Sequence, residues 1–353
     1  MLKRVIGLSV ITAASVVLAT GCANTGSKGA KNIGAETSAK IVRLGFFPNI
    51  THSQALVGVA KGDFQKALGE GVKLEAKAFN AGPLAIEAIF ASQIDIAYIG
   101  PNPAINGYIK SRGKALKIIA GATSGGAVFV VRKDSGIKSA KDLKGKKFAS
   151  PQLGNTQDVA LRSYLRKNGY ELAEKGGEVA VVTVANPDIL TLFKKKEIDG
   201  AWVPEPWGAR LVKEAGGRIF LDERDLWPGG KFVSANVVAR TRFLEKNPEL
   251  VKKILKTHVE LTEWINGNPD DAKKIVNAEI KELTQKAFPK EVLDDGWSRL
   301  EVTYDPVSRS LIESAKSAFN LGFLGKEEPD LSRVYNLTIL NEVLKEKGLS
   351  KVQ

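Results

Sequence analysis

Apolar and polar positions along the chain predict strands that alternate with helices. Residues 41–47 alternate as a strand, and after a Pro-Asn-Ile-Thr-His loop an apolar face with helical spacing begins at Ser53. Further strands are predicted at 73–79, 94–99 and 116–122. Strands that alternate with helices are typical of parallel α/β sheets, in which ligands bind at the carboxyl ends of the strands.

The stretch Phe79–Pro103 is followed by a similar stretch at Val184–Trp207. The two stretches align without a gap at an offset of 104 positions, which places Asp199 opposite Asp95. In this alignment the predicted helix, strand and proline-rich turn of one stretch lie opposite those of the other. The identities are few, so chance likeness between two helix–strand–turn units remains the alternative. The repeat favours two similar α/β lobes, each of which sends the same strand-to-helix turn to one shared place.

The chain leaves the first set of strands at Ser124-Gly125-Gly126, and a strand at 232–240 returns to it. The predicted fold is therefore α/β with two lobes, each a mainly parallel sheet flanked by helices. Lobe 1 is expected to comprise residues 41–123 and 234–353, and lobe 2 residues 124–233. The two crossings, near 124–126 and 230–234, predict a hinge with a ligand cleft between the lobes.

The C-terminal part of the chain is predicted to be mainly helical. The apolar positions and the helix-start prolines indicate helices at 247–267, 269–283, 306–320 and 331–347. His258 lies on the apolar face of the first of these helices, which predicts a position in the core rather than in a binding site.

The N-terminus has the pattern of an export signal. Lys3 and Arg4 precede a short apolar run, and the small residues before Cys22 resemble a bacterial lipobox. We expect residues 1–21 to be a signal peptide, Cys22 to be lipidated, and residues 22–40 to be a flexible, lipid-anchored tether. An ordinary signal peptide with an incidental cysteine is the alternative.

Composition narrows the possible chemistry. The formal net charge of +13 is compatible with nucleic acid, an anionic membrane or anionic ligands, but the lysines are scattered and an export signal argues against nucleic acid. The single cysteine leaves no disulfide, no thiolate metal site and no cysteine nucleophile in the folded part. No metal site and no cofactor are expected, and two distant histidines form no catalytic triad.

The sharpest local signal for ligand binding is the segment 150–162. A short strand ends in a glycine-containing loop at Gly154, and a helix begins at Asn155 or Thr156, followed by Gln157. Free backbone N–H groups at such a helix start, with hydroxyl and amide side chains, can hold an anion without a formal charge. The alternative is that these residues only cap the helix, and capping and anion binding can occur together.

Other candidate residues lie at the remaining strand ends. Thr51 and His52 begin another helix, where His52 could donate to an anion or merely cap or pack. Glu205 and Trp207 follow a predicted strand and could form a wall of the cleft against an amine or alkyl group, although Trp207 could instead pack the lobe.

Four motifs carry a resemblance to a known family: GFFPNITHSQALVGVAKG, FNAGPLAIEAIFASQIDIAYIGPNPAINGY, SPQLGNTQDVALR and IDGAWVPEPW. In this order they are similar to the nitrate/sulfonate/taurine group of ABC-transporter substrate-binding proteins, over roughly residues 41–265. The resemblance implies a type II periplasmic-binding-protein fold, ligand capture between two lobes and delivery to a permease. The ligand-binding residues that it implies, together with the candidates above, are Asn49, Thr51, His52, Gly100, Asn102, Ser124, Gly154, Asn155, Thr156, Gln157, Glu205 and Trp207.

The sequence is therefore interpreted as an exported, membrane-tethered solute receptor, expected to be a monomer, that serves an ABC permease and its ATPase. The expected ligand is a small anion, best an alkyl sulfonate or taurine; nitrate, bicarbonate and a thiamine-pyrimidine precursor are alternatives. An enzyme on the same scaffold is disfavoured because it would need a cysteine or histidine nucleophile or base. A signalling receptor that feeds no permease is a third class, which neighbouring genes would discriminate.

Overall fold

The computed structural model describes residues 39–353, so the signal peptide, Cys22 and all but the last two residues of the tether lie outside the described part. The strands, in chain order, are β1 Ile41–Phe46, β2 Lys73–Ala78, β3 Ile96–Ile99, β4 Leu116–Gly125, β5 Ala127–Arg132, β6 Lys147–Ser150, β7 Ala180–Thr183, β8 Gly200–Pro204, β9 Gly217–Asp222, β10 Val233–Arg240 and β11 Leu300–Val302.

Helices separate most of these strands. They are α1 Ser53–Ala60, α2 Asp63–Leu68, α3 Gly82–Phe90, α4 Pro101–Lys110, α5 Thr156–Lys167, α6 Asn186–Lys194, α7 Trp207–Ala215, α8 Thr241–Lys246, α9 Pro248–Gly267, α10 Pro269–Thr284, α11 Lys290–Trp297, α12 Ser308–Asn320 and α13 Thr338–Glu346. Among the described residues, none of these helices has both the length and the apolar character that crossing a membrane requires.

The strands form two sheets, which confirms the predicted α/β class. The first sheet has the order β2-β1-β3-β10-β4-β11 and the second has the order β7-β6-β8-β5-β9. The expected parallel pairing holds for β2-β1-β3 and β7-β6-β8, whereas every other pairing is antiparallel, so each sheet is mixed. The chain passes from the first sheet to the second between β4 and β5 and returns between β9 and β10.

The repeat seen in the sequence is also a structural repeat. Helix α3 and strand β3 recur as α6 and β8 at the same offset, and both strands lie between one parallel and one antiparallel neighbour. In the first sheet, the carboxylate of Asp95 accepts from the Arg43 N–H (3.1 Å) and the Arg240 guanidinium (2.6 Å). In the second sheet, Asp199 accepts from the Lys147 N–H (2.9 Å) and the Arg132 guanidinium (3.2 Å).

Each sheet is covered by helices on both faces, which explains the runs of apolar residues in its central strands. In the first sheet, Tyr98 packs with α9 on one face, and Ile99 packs with α4 and α12 on the other. The second sheet has Val203 on one face, and Phe129, stacked on Trp202 at 5.4 Å, on the other.

Several predicted boundaries differ from the structure. The first apolar helical face is divided into α1 and α2, because Gly62 adopts a left-handed backbone conformation (φ 70°) between them. Strand β4 continues through Gly125 instead of ending before Thr123. The helix predicted at 331–347 begins only at Thr338, and α11 and β11 were not anticipated.

His258 is buried in the core, as its position on the apolar face of α9 predicted. Its Nδ1 accepts from the Tyr98 hydroxyl at 2.8 Å, and its Nε2 donates to the Gly121 carbonyl at 2.9 Å. Burial lowers the pKa of His258 from 6.5 to about 4, which keeps the ring neutral in this network.

Candidate functional site: a cavity between the two sheets

A cavity of about 580 Å³ lies where strands of both sheets end. The turns that follow the carboxyl ends of β1, β2 and β3 meet the equivalent turns after β6, β7 and β8 there, as the repeat predicted. Of the residues predicted to bind ligand, eight line this cavity: Asn49, Thr51, His52, Gly100, Asn155, Thr156, Gln157 and Trp207.

The start of α5 presents two unused backbone donors to the cavity. Asn155 is the N-cap, and its side chain accepts from the Asp158 N–H at 3.0 Å. The N–H groups of Thr156 and Gln157 have no acceptor among residues 39–353, and both residues line the cavity. Two free N–H groups at the positive end of a helix are a site for an anion.

The loop before α5 is held from beneath by a buried carboxylate. Asp158 accepts from the Ser150 hydroxyl (2.7 Å), the Gly154 N–H (2.8 Å) and the Arg162 Nε (2.8 Å). These bonds fix the loop that precedes Thr156, and they consume the Gly154 N–H, which is therefore unavailable to a ligand. The site is thus preorganised by groups that do not themselves face the cavity.

The 3₁₀ turn Ile50–His52, directly before α1, supplies the corresponding donors from the first sheet. The Asn49 side chain accepts from the Thr51 N–H at 3.2 Å, so Asn49 caps this turn as Asn155 caps the other. The Thr51 carbonyl accepts from the Thr123 hydroxyl at 2.7 Å, which ties the turn to β4. The hydroxyl of Thr51 has no hydrogen-bond partner among the described residues and can donate to a ligand.

His52 is a neutral donor. Its Nδ1 accepts from the Phe47 N–H at 3.3 Å, and its ring stacks on that of Phe47 with centroids 4.7 Å apart. Burial lowers its pKa from 6.5 to about 3, so the ring carries one proton at neutral pH, and that proton is on Nε2. Nε2 has no partner among residues 39–353, which leaves this N–H free to reach the cavity.

The two sides of the cavity touch at Gly100. A Cβ atom at this position would lie 2.6 Å from the Thr156 hydroxyl oxygen and 3.7 Å from the Ser234 carbonyl oxygen. Only glycine allows this approach between the turn after β3 and the start of α5. The same approach places the Thr156 hydroxyl at the junction of the two sheets.

Aromatic rings form another wall. Trp207, at the start of α7, meets Phe288, between α10 and α11, edge to face with centroids 6.2 Å apart. The Arg210 guanidinium lies 4.8 Å from the Trp207 ring centroid and is held by Glu214 through bonds of 2.8 and 2.9 Å. The tryptophan is therefore fixed against its neighbours and half-exposed toward the cavity.

The charges at the cavity favour an anion. Among the described residues that line it, none is an aspartate or glutamate, whereas Arg210 and Lys286 are cationic. Arg210 is already paired with Glu214, and Lys286 is exposed. Within residues 39–353, no group of three or more His, Cys, Asp or Glu side chains is arranged to hold a metal.

The other four predicted ligand residues lie away from this cavity. Asn102 is buried and accepts from the Ser314 hydroxyl at 2.9 Å. Ser124 lines a second cavity of about 450 Å³ with Arg224 and Lys231. Gly154 packs beside Phe323.

Glu205 was expected to form a wall of the cleft, but it does not line the cavity. Its carboxylate is fully buried and accepts from the Ala209 N–H (2.9 Å) and from Arg299 (2.8 Å). Arg299 in turn binds Asp295 at 2.7 Å. Burial raises the pKa of Glu205, and the guanidinium of Arg299 opposes this rise. The ion pair thus joins the end of β8 to the segment before β11.

Several lining residues escaped sequence reasoning. The end of α10 and the following loop contribute Ile280, Thr284, Lys286 and Phe288. They lie far along the chain from the strand-end motifs and carry no pattern other than that of an amphipathic helix. Arg210 and Ser234 were missed as well, although Arg210 follows the recognised turn at Trp207 and Ser234 lies in the strand predicted at 232–240.

The chain matches known proteins over most of its length. The model of the NMT1-like family matches residues 35–280. A Bacillus subtilis protein named for binding aliphatic sulfonates is 26% identical over 345 residues, which covers 96% of this chain and 97% of that protein. The taurine-binding periplasmic protein of Escherichia coli is 26% identical over 60% of this chain and 63% of its own.

A solved structure shows the same fold. The alkanesulfonate-binding protein SsuA from Xanthomonas axonopodis pv. citri, bound to MOPS, superposes with a TM-score of 0.68 at 16% identity. The match covers 82% of this chain and 96% of that one. The expected periplasmic-binding-protein architecture is thereby confirmed.

Proposed function

We propose that this chain, which belongs to the NMT1-like family, is the solute-binding protein of an ABC importer and captures a small anion in the cavity between its sheets. The proposed ligand is an alkyl sulfonate or taurine. The observation that carries the proposal is the pair of N–H groups of Thr156 and Gln157, which have no acceptor within residues 39–353 and face a cavity whose described lining residues include no carboxylate.

Neutral donors suffice to hold such an anion. The N–H groups of Thr156 and Gln157 come from one sheet, and the Thr51 hydroxyl and the His52 Nε2–H from the other. Hydrogen bonds to a charged group contribute about 1.5–3 kcal/mol each. A handful of them, without a buried ion pair, accounts for tight but reversible binding.

The same wall supports binding rather than catalysis. His52 is the lining histidine, and its Nδ1 is occupied by the Phe47 N–H, so the neutral ring is a donor and a poor base. No cysteine, aspartate or glutamate stands among the described lining residues to act as nucleophile or base. The ligand would therefore leave the cavity unchanged.

Delivery would depend on closure. The two crossings between the sheets, around Gly125 and between β9 and β10, are the places about which the halves would rotate. A ligand that binds both sheets at once stabilises the closed arrangement, and a permease would recognise that arrangement. The assignment of residues 41–123 with 234–353, and of 124–233, to two moving lobes is part of this proposal.

Export and lipid anchoring complete the proposed role. The lipobox-like residues before Cys22 and the polar stretch after it support attachment to the outer face of the cytoplasmic membrane or within the periplasm. Cys22→Ala should release the protein into the soluble fraction of cell extracts, and unchanged membrane retention would count against the anchor.

A ligand panel tests the central role. The purified protein is titrated calorimetrically with methanesulfonate, taurine, nitrate, bicarbonate and an aminopyrimidine phosphate. At least one anion should bind, with an affinity unaffected by removal of divalent cations. Failure of every anion would refute the proposed capture, and binding of nitrate or bicarbonate alone would leave the transport role but replace the ligand.

A further inference from the structure

Helix α5 belongs to the second sheet but also packs against the first half of the molecule. It follows β6, and its Leu161 and Leu165 lie in the core of the second sheet with Phe148. Val159, on the same helix, is only 1% exposed and belongs instead to the apolar cluster of the first sheet, together with Ile105 of α4. The helix therefore joins the two halves in addition to the two crossings of the chain.

The segment of α5 contacts the first half at three places. Before the helix, a Cβ added at Gly154 would lie 3.7 Å from the ring of Phe323. In the middle, Val159 packs where α5 meets α4 and α12. At the end, the Arg166 guanidinium donates to the carbonyl of Asn320, the last residue of α12. The last carbonyls of a helix lack intrahelical partners and carry partial negative charge, so a guanidinium is favourable there.

The same helix carries the anion donors. Thr156 and Gln157, in its first turn, line the cavity, whereas Val159 and Arg166 do not. Arg166 comes ten residues after Thr156, which corresponds to about 15 Å along the helix axis. Arg166 is therefore too far from the donors to touch an anion that they bind, yet one continuous helix connects it to them.

A different contact holds the halves together beside the first crossing. The Gly126 N–H donates to the Arg299 carbonyl, and the Gly126 carbonyl accepts from the Glu205 N–H, both at 2.8 Å. The buried ion pair of Glu205 with Arg299 therefore lies next to the crossing, where a rotation of the halves displaces atoms least. The contacts of Val159 and Arg166 differ, because α5 moves with the second sheet while α4 and α12 stay with the first. Separation of the halves must break them.

We infer that α5 is a latch for the closed arrangement, and that Val159 and Arg166 set the affinity for the ligand without touching it. The inference rests on the proposed function and assigns the control of its closure to two positioning residues outside the cavity. Their contacts stabilise the closed arrangement whether or not an anion is bound. Loss of a latch contact lowers the fraction of closed molecules, and the apparent affinity falls with that fraction.

Arg166→Ala tests the latch at an exposed position, where the fold is not at risk. Titration with hexanesulfonate, an alkyl sulfonate of the proposed ligand class, should show about threefold weaker binding, and stopped-flow measurements should trace the loss to faster dissociation. Arg166→Lys keeps a positive charge at the end of α12 and should recover part of the affinity. Lys167→Ala is the matched control: Lys167 is exposed and forms no ion pair within residues 39–353, so its removal should leave affinity unchanged.

Val159→Ala tests the buried part of the latch. Binding of hexanesulfonate should weaken by roughly tenfold, because the apolar contact that is lost exists only in the closed arrangement. Val130→Ala is the matched control, since it removes the same two methyl groups from a valine that is fully buried in the core of the second sheet. That control should lower the free energy of unfolding but leave affinity and dissociation rate unchanged. Equal losses of affinity in the two variants would contradict the latch.

Small-angle X-ray scattering without ligand separates this inference from the proposed function. The double variant Val159→Ala/Arg166→Ala should have a larger radius of gyration than the parent, and the control Val130→Ala/Lys167→Ala should not. An unchanged radius in the first double variant would overturn the latch, whether or not the parent binds hexanesulfonate. If the parent bound no anion, the proposed function would fail, and the radii would still decide whether α5 holds the halves together.

Discussion

At the scale of single residues, the site depends on side chains that do not face the ligand. Asp158 and Asn155 together accept from three donors of the loop and first turn of α5: the Ser150 hydroxyl and the Gly154 and Asp158 N–H groups. Within residues 39–353, the N–H groups of Thr156 and Gln157 are left without an acceptor. The hydrogen bonds of Asp158 and Asn155 fix the loop and the first turn of α5. The two N–H donors are therefore in position before a ligand binds.

Thr156→Val tests whether the Thr156 hydroxyl adds a hydrogen bond to those of the two backbone N–H groups, which the substitution keeps. The hydroxyl at the junction of the sheets is lost while the shape is nearly kept, so affinity for a bound sulfonate should fall by roughly tenfold to a hundredfold. Calorimetric titration measures the loss, and circular dichroism checks the fold. His258→Leu is the control: it should lower stability, because Tyr98 and the Gly121 carbonyl lose a partner, but leave affinity unchanged. The opposite pattern would place the ligand elsewhere.

His258 also makes stability depend on pH. Its pKa is about 4 in the folded chain and near 6.5 when unfolded, so between these values the unfolded state binds more protons and stability falls as pH falls. The effect approaches about 1.4 kcal/mol per pH unit. In urea titrations, the stability of the parent relative to His258→Gln should therefore shrink from pH 6.5 toward pH 4. A difference that stays constant would contradict the buried neutral ring.

At the scale of elements, the repeated helix–strand–turn unit organises both sheets. Asp95 and Asp199 each bind the backbone of a parallel neighbour and the arginine of an antiparallel neighbour. The two differ in burial: the Asp95 side chain is 1% exposed and the Asp199 side chain 21%. Equivalent positions in the repeat should therefore differ in how much they matter.

Substitution of the two aspartates measures that difference. Asp95→Ala leaves Arg240 without its buried partner and should cost about 3–5 kcal/mol of unfolding free energy. Asp199→Ala, in the more exposed pair, should cost about 1 kcal/mol. Chemical denaturation of both variants gives the comparison, and equal costs would refute the assignment of the energy to burial.

Much of the fold could be predicted from sequence because its signals are local. A few adjacent residues suffice to predict each of three features: the strand ends, the cap at Asn155, and the repeat that contains Asp95 and Asp199. The wall formed by Ile280 and Phe288 could not be predicted, because its contribution depends on how α10 packs. The contact of Glu205 could not be predicted either. Its position after β8 suggests a cleft wall, but its carboxylate accepts a hydrogen bond from Arg299, a residue 94 positions away.

At the scale of the whole molecule, two crossings join the halves, and this connection should permit closure. Gly125 and Gly126 at the first crossing both have left-handed backbone conformations (φ 77° and 75°), which favour glycine. Saturating hexanesulfonate should reduce the radius of gyration measured by small-angle X-ray scattering, because a ligand that bridges both sheets favours the closed form. Identical scattering curves with and without ligand would count against a moving cleft.

The most direct test uses the sulfur of the ligand itself. The chain contains one methionine and one cysteine, Met1 and Cys22, so no residue of 39–353 contributes sulfur. Anomalous diffraction from crystals grown with hexanesulfonate should show one sulfur peak in the folded part, within about 4 Å of the Thr156 and Gln157 nitrogens. A peak beside Lys286, or in the second cavity near Arg224 and Lys231, would contradict the account.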